Sequence, residues 1–206
     1  MNTLAIIGTA GRQEDGVLLS QDPVMYYEKM LAACLKVVAI TKADTLISGG
    51  AAYADHCAVS LFLKAPNVFK LILELPANLV ADNADGLCFQ DSGAKSPGSI
   101  ANYYHNRFTK AMQKEKGLAW SSFADFRSAV THPNCVINVT PGFKERNLKV
   151  AAKANHCLAM TFGDKHFLKD GGTAHTMKNF LEKKTGSSYH LDLNVLRLYK
   201  GAKIYE

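Results

Sequence analysis

The chain has 206 residues, 48% apolar and 20% charged, a composition that excludes an intrinsically disordered polymer and accommodates one domain with a large core. Its formal net charge of +6 would suit a polyanionic partner, but Lys and Arg are spread from Arg12 to Lys203 in short groups such as Lys183-Lys184, which reads as a solvated basic surface rather than a nucleic-acid face. The five cysteines, Cys34, Cys57, Cys88, Cys135 and Cys157, are odd in number and form no CxxC, so reduced thiols in a cytoplasmic setting are expected rather than a disulfide framework.

Leu4 to Ile7 is an apolar run opening into Gly8-Thr9-Ala10-Gly11-Arg12, a buried-type strand feeding a glycine-containing turn, as at the start of many α/β domains. It offers no basic segment followed by a signal-type apolar core. Leu18 to Gln21 reads as loop. Asp22 before Pro23 predicts an N-cap with proline at the first helical position, and Tyr27, Leu31, Cys34, Leu35 and Val38 then recur at helical spacing. Glu28, Lys29 and Lys36 interrupt this region, so no membrane span is expected.

Thr45 to Ser48 reads as a second strand, turned by Gly49 and Gly50 into a helix from about Tyr53 to Lys64. Phe69 to Leu75 is a third strand, ended by Pro76. The irregular segment about 77–98 is too long for a plain connection and reads as a lid or binding loop, or as a solvated excursion. Ser99 is taken as the cap of the next helix, with Ile100, Tyr104, Phe108 and Met112 as its buried stripe and Asn102, His105, Asn106 and Lys110 on other faces. The segment about 114–135, holding Trp120, Phe123 and Phe126, reads as an insertion with a short helix. Val136 to Val139, Cys157 to Phe162 and Tyr189 to Leu193 complete the strands, with helices over Glu145 to Ala154 and beyond Asp170, and an edge strand in the tail after Asn194.

Strands separated by helices predict an α/β fold over 1–206 as a single domain: a Rossmann-like, doubly wound, mainly parallel sheet with helices on both faces. Ligands of such sheets bind beyond the carboxyl ends of the strands, at a topological switch point. The glycine turns near Gly8, Ser48 and Gly171 all follow strands and are expected on that rim. Gly8, Ser48, Gly49, Gly50, Gly171, Gly172, Thr173 and Thr176 offer backbone N–H groups and hydroxyls to an oxyanion, and His175 lies in the same turn. Helix-end electrostatics contribute only about 0.3–1 kcal/mol each, so several donors must converge. Arg146 can add a bidentate guanidinium, and Arg12 a second cation.

Asp55 is placed to accept a ribose hydroxyl or to complement the helix dipole. Cleavage of a glycosidic bond would need a carboxylate from Asp55, Asp164, Asp170 or Glu145. Asp55-His56-Cys57 and Asn155-His156-Cys157 lack the close ligand pairs of zinc sites. They read as structural histidines beside buried thiols, and no metal is expected. Tyr103 is a candidate for stacking on a base. GxSxG, P-loop and GxGxxG motifs are absent, against serine hydrolase, P-loop NTPase and dinucleotide oxidoreductase chemistry.

Three stretches carry a resemblance. Ser48-Gly49-Gly50-Ala51-Ala52-Tyr53-Ala54-Asp55 resembles the SGGAxGxD turn of the SMF/DprA and LOG-like Rossmann folds grouped as the SLOG superfamily, which includes small viral or phage-type members. Phe143-Lys144-Glu145-Arg146-Asn147 resembles that group's Arg-Asn or Arg-Lys helix start. Asp170-Gly171-Gly172-Thr173-Ala174-His175-Thr176 resembles its Gly-Gly-x-Gly-Thr turn. The resemblance implies a nucleotide-type small molecule with its phosphate over the glycine turns, a homo-oligomer and no additional cofactor. LOG-type members remove the base from a nucleoside 5′-monophosphate, others bind nucleotide or ADP-ribose-like signals intact, and the DprA branch binds single-stranded DNA. The hydrolases carry a carboxylate two or three residues beyond their third motif, where this chain has Met177, Lys178 and Asn179. The expectation is therefore binding of a phosphorylated nucleoside or ADP-ribose-type ligand. The alternatives are nucleotide N-glycoside hydrolysis with Asp55 or Asp170 as the acid, and DprA-like single-stranded DNA binding.

Overall fold

A computed structural model describes residues 1–82, 86–116, 119–163, 171–184, 186–197 and 204–205. Along the chain run β1 (Thr3–Gly8), α1 (Gln13–Gln21), α2 (Pro23–Thr41), β2 (Thr45–Ser48), α3 (His56–Lys64), β3 (Lys70–Leu75), β4 (Leu79–Val80), β5 (Cys88–Phe89) and α4 (Pro97–Lys116). They are followed by α5 (Ser122–Val130), β6 (Cys135–Val139), α6 (Phe143–Lys153), β7 (His156–Thr161), α7 (Gly172–Glu182), β8 (Ser188–Asp192), a 3₁₀ turn at Leu193–Arg197 and β9 (Ile204–Tyr205). The main sheet has the order β6-β3-β2-β1-β7-β8-β9. Its first six members are parallel, and β9 closes one edge antiparallel to β8. The arrangement is α/β, doubly wound and Rossmann-like. Among the described residues, no helix is long and apolar enough to cross a membrane.

Strand alternation divides the core. Leu4 and Ile6 of β1, Leu158 and Met160 of β7 and Leu71 and Leu73 of β3 join Phe62, Phe108 and Phe126 on the face covered by α2 to α5. Ala5 and Ile7, Cys157 and Ala159, and Ile72 meet Val150, Ala151, Met177 and Phe180 on the face of α6 and α7. Burying each large apolar side chain stabilises by about 1.5–3 kcal/mol. Small residues on the second face let α6 and α7 lie close over the strands. Glu74 of β3 is fully buried there, paired with Lys153 and accepting from Asn138 Nδ2 at 2.9 Å. Lys183 satisfies the carboxyl end of α6, its Nζ donating to the carbonyls of Ala151, Ala152 and Ala154 at 2.8–3.1 Å.

Several local boundaries differ from the sequence reading. Leu18 to Gln21 are helical, the end of α1. That helix buries only Gly16 and Leu19, too little apolar surface to mark it in sequence. Gly16 is required by a close approach, since a Cβ there would lie 2.4 Å from Gly11 O. α2 begins as expected, Asp22 Oδ1 accepting from Met25 N at 3.0 Å. α3 starts at His56 rather than near Tyr53, because Tyr53 has φ 57°, outside the helical basin.

α4 starts at Pro97, and its cap is Ser96, whose Oγ accepts from Ser99 N at 3.1 Å. The fully inward stripe of α4 is Ala101, His105, Phe108 and Met112, while Ile100 and Tyr104 are half-buried. The segment 77–98 contains the β4–β5 hairpin. Asn102 clamps it to α4 by accepting from Phe89 N at 2.9 Å and donating to Phe89 O at 2.8 Å. The segment 114–135 carries the end of α4 and all of α5, which with α4 forms the crossover from β3 to β6.

Candidate functional site

After β1 the chain builds β2, β3 and β6 to one side, then crosses back to build β7 and β8 on the other. The carboxyl ends of β1 and β7 therefore part at a topological switch point. A cleft of about 260 Å³ opens there, with Ile7 and Val150 on its apolar wall and Thr161 at the end of β7. Its polar walls come from three helix starts, those of α1, α6 and α7.

The glycine turn after β2 is closed by its own chain. Asp55 is buried and accepts from Gly8 N at 3.1 Å and Ala51 N at 3.4 Å, and a further backbone bond from Gly49 stabilises its anion. Ser48 Oγ donates to Asp55 O at 2.9 Å and accepts from Gly50 N at 3.1 Å. The carboxylate thus joins the ends of β1 and β2. Burial raises the Asp55 pKa, opposed by Arg146 and by the Ala51, Gly8 and Gly49 amides.

Arg146 Nη1 donates to Gly49 O at 2.5 Å and lies 3.7 Å from Asp55 Oδ2. Gly49 leaves room for the guanidinium in this position, for a Cβ there would stand 2.1 Å from Nη1. The buried face of α6 is consequently split. Arg146 and Asn147 overlie the cleft, and Val150 and Ala151 overlie the sheet one turn later. Arg146 is only 6% exposed, yet its Nε has no hydrogen-bond partner. Burial lowers its pKa, with Asp55 opposing and the charge of Arg12 adding to the decrease. Arg12 and Arg146 each lie 5.5 Å from the centroid of the Phe143 ring, and Arg12 also lies 5.7 Å from that of Tyr104.

α7 enters the cleft at Gly171 without a side-chain cap and with no acidic residue in its first turn. Thr173 Oγ1 donates to Gly8 O at 2.9 Å, Thr176 Oγ1 to Gly172 O at 2.9 Å, and Asn147 Nδ2 to Gly172 O at 3.2 Å. Its start is thereby fixed against both β1 and α6. α1 also lacks a side-chain cap but carries Glu14 and Asp15 in its first turn, and both line the cleft. Asp15 accepts from Thr9 Oγ1 at 2.7 Å. The positive end of α1 is compensated by its own carboxylates, whereas the first turn of α7 holds none.

Of the residues picked out in sequence, Gly8, Arg12, Gly49, Asp55, Arg146, Gly171, Gly172, Thr173 and Thr176 line this one cleft. Ser48, Gly50 and His175 do not; Ser48 and Gly50 brace the turn, and His175 sits in the first turn of α7. Asp164 and Asp170 lie outside the described residues. Glu145 is exposed on α6 away from the cleft wall, and Tyr103 is exposed on α4 beside Arg107. No described residue of 77–98 reaches the cleft. Sequence reasoning missed Thr9, Glu14, Asp15, Asn147 and Thr161; reading α1 as a helix would have placed Glu14 and Asp15 on the rim.

His56 is fully buried among aromatic rings, with its Nε2 3.1 Å from Asp125 Oδ2, which also accepts from Trp120 Nε1 at 3.1 Å. His105 supports the site from behind. Its Nε2 lies 3.0 Å from Gly50 O, which can only accept, so Nε2 carries the proton and Nδ1 accepts from Ser122 Oγ at 3.0 Å. Burial, with His56 alongside, pulls its pKa down to about 3.

No protein-family model matches the chain. It is 34% identical over 176 residues to a protein of Acanthamoeba polyphaga mimivirus described as "Uncharacterized protein R261", an alignment covering 84% of this chain and 87% of the relative. At that identity over most of both sequences, the chain belongs to the same family as the mimivirus protein.

Proposed function

We propose that the protein binds a phosphorylated nucleoside, of mononucleotide or ADP-ribose type, in the switch-point cleft. The observation that carries this reading is Arg146, a guanidinium more than nine-tenths buried with an unsatisfied Nε–H, on the wall of a cleft that also receives the start of α7, whose first turn has no side-chain cap and no carboxylate. A phosphate answers both features, since it brings oxygen acceptors to the guanidinium and negative charge to the helix end. Glu14 and Asp15 on the opposite, α1 side supply carboxylates suited to ribose hydroxyls. The resemblance of three motifs to the SLOG superfamily supports the same ligand class. It also supports a homo-oligomer, which sedimentation velocity tests. Five unpaired thiols suit a reducing, cytoplasmic setting.

Thermal unfolding against nucleoside monophosphates, ADP, ADP-ribose, NAD and cyclic nucleotides, followed by chromatography of each ligand that raises the midpoint, tests the reading. A ligand at about 100 times its dissociation constant stabilises by about 2.7 kcal/mol. The expected result is stabilisation with the ligand recovered intact, and no shift from any nucleotide would refute the site. One observation favours a second reading, N-glycoside hydrolysis of a nucleoside 5′-monophosphate: Glu14 brings an exposed carboxylate to the cleft, the group that glycosidic cleavage employs. Free base in the chromatogram, abolished by Glu14→Gln, would establish it.

A further inference from the structure

Resting on the nucleotide-binding reading, we propose that the cleft holds two anion positions along α6 and so selects adjacent phosphates, as in a nucleoside diphosphate or a sugar ester of one, over a single phosphate. The first position lies at the start of α7, which is fixed to α6 by the bond from Asn147 Nδ2 to Gly172 O. The second lies at Arg12, which is held over Phe143, the first residue of α6, and over Tyr104 of α4. Phe143 and Asn147 are four residues apart on one helix, a separation of about 6 Å along its axis. Arg146 stands between them in sequence, on the same cleft wall, with its unpartnered Nε.

The charges are distributed in the same way. Asp55 balances Arg146 at 3.7 Å. Arg12 is exposed and, among the described residues, has aromatic rings as partners and no carboxylate within ion-pair distance. Two guanidiniums are thus gathered around one phenyl ring, and of the two only Arg146 has a buried carboxylate beside it among the described residues. A single phosphate at the start of α7 reaches the Asn147 end of this row and leaves Arg12 uncompensated. Two linked phosphates span the row, the inner one at α7 and Arg146, the outer one at Arg12 near solvent. Arg12 is the N-cap residue of α1, and Glu14 and Asp15 of that helix's first turn face the cleft; the outer phosphate is therefore held where the Arg12 side chain reaches over Phe143 of α6, away from the α1 carboxylates.

Isothermal titration of the full chain with inorganic phosphate, pyrophosphate, AMP and ADP tests the inference. Pyrophosphate and ADP are expected to bind at least about tenfold more tightly than phosphate and AMP, the factor carried by one charge-assisted contact. In Arg12→Gln, an exposed substitution, the ADP-to-AMP affinity ratio is expected to fall toward one. Equal affinities for AMP and ADP in the unaltered protein would overturn the two-position inference while leaving nucleotide binding intact. An Arg12→Gln variant that weakens AMP and ADP by the same factor would overturn it as well. Failure of all four ligands to bind would overturn the underlying reading.

Discussion

Replacing Asp55 by Asn keeps the shape of the side chain and removes the charge that balances Arg146. The side chains of this pair are 7% and 8% exposed, and removing one partner of a buried pair costs about 3–5 kcal/mol because the other is left unpaired. Asn also offers a single acceptor oxygen where the carboxylate takes Gly8 N on one oxygen and Ala51 N on the other. For a chain of this size each kcal/mol moves the unfolding midpoint by about 2–4 °C, so Asp55→Asn should lower it by about 6–20 °C. Arg146→Met behaves differently with pH. Arg146 opposes the desolvation that raises the Asp55 pKa, so its removal lifts that pKa further above the unfolded value. A raised carboxyl pKa contributes stability below the unfolded pKa and loses it as pH rises through the folded pKa. Arg146→Met should therefore be nearest to wild type in acid and fall behind as pH approaches neutrality. Urea denaturation of both single variants and the double, from pH 4 to 8, measures all of this. The double should lose about 1–3 kcal/mol less than the sum of the singles. Additive losses, or an Asp55→Asn cost within about 0.5 kcal/mol of zero, would refute the view that this pair joins the ends of β1 and β2.

A second pH effect comes from His105, whose pKa falls from the ordinary 6.5 to about 3 on burial. A depressed pKa gives stability that is complete above the unfolded value and lost as pH falls toward the folded one, with a slope of about 1.4 kcal/mol per pH unit. His105→Gln should remove that slope between roughly pH 6.5 and pH 3, read as the difference between the two stability–pH curves; parallel curves would contradict it. Gly49→Ala places a methyl 2.1 Å from Arg146 Nη1 and 2.9 Å from Asp55 Oδ2, so this buried pair must shift, and the expectation is that the guanidinium gives up its bond to Gly49 O and its approach to Asp55. We expect a destabilisation of about 3–5 kcal/mol in denaturation experiments and loss of nucleotide-dependent stabilisation, and an unchanged thermal midpoint would show that Arg146 is not held where the structure places it.

The fold was legible because its signals are local and repeated. β1, β2, β3 and β7 are short apolar runs followed by turns, and Asp22-Pro23 caps α2 as those residue types ordinarily do. The parts that escaped depend on tertiary contacts. α1 buries only Gly16 and Leu19, and Gly16 packs it against the Arg107 guanidinium of α4, which a Cβ would approach to 3.0 Å. His105 is a polar residue at a fully buried position, tolerated because Gly50 O and Ser122 Oγ use both ring nitrogens. Glu74 is likewise admitted to a buried strand by Lys153 and Asn138, which lie far away in sequence. The edge strand β6, with Val136, Ile137 and Val139 each about two-fifths exposed, carries a weaker apolar pattern than the central strands.

The site was legible as a location before it was legible as chemistry. Glycine turns after strands marked the rim, yet the turn that looked most like an anion cradle spends its donors internally: Gly50 N on Ser48 and Ala51 N on Asp55. Tyr53 shows why the pattern misleads. It has a left-handed φ of 57°, a conformation that costs a non-glycine residue roughly 1–3 kcal/mol. Its ring is buried 4.2 Å from that of Phe108, centroid to centroid, and burial of this kind offsets such a cost. The turn is thus held by packing at a position without glycine, and it serves to place Asp55 against Arg146. Free donors remain instead at the α7 start and on Arg146, the first opened by the lack of a cap and the second by a helix face that turns polar only where it overhangs the cleft. Gly171 and Arg146 stand out as residues in the sequence, but that Arg146 Nε is left unpartnered on the cleft wall is visible only in the structure. Both lie where the strand order reverses, which is why the proposed anion is placed on the α6–α7 wall rather than over the glycine pair.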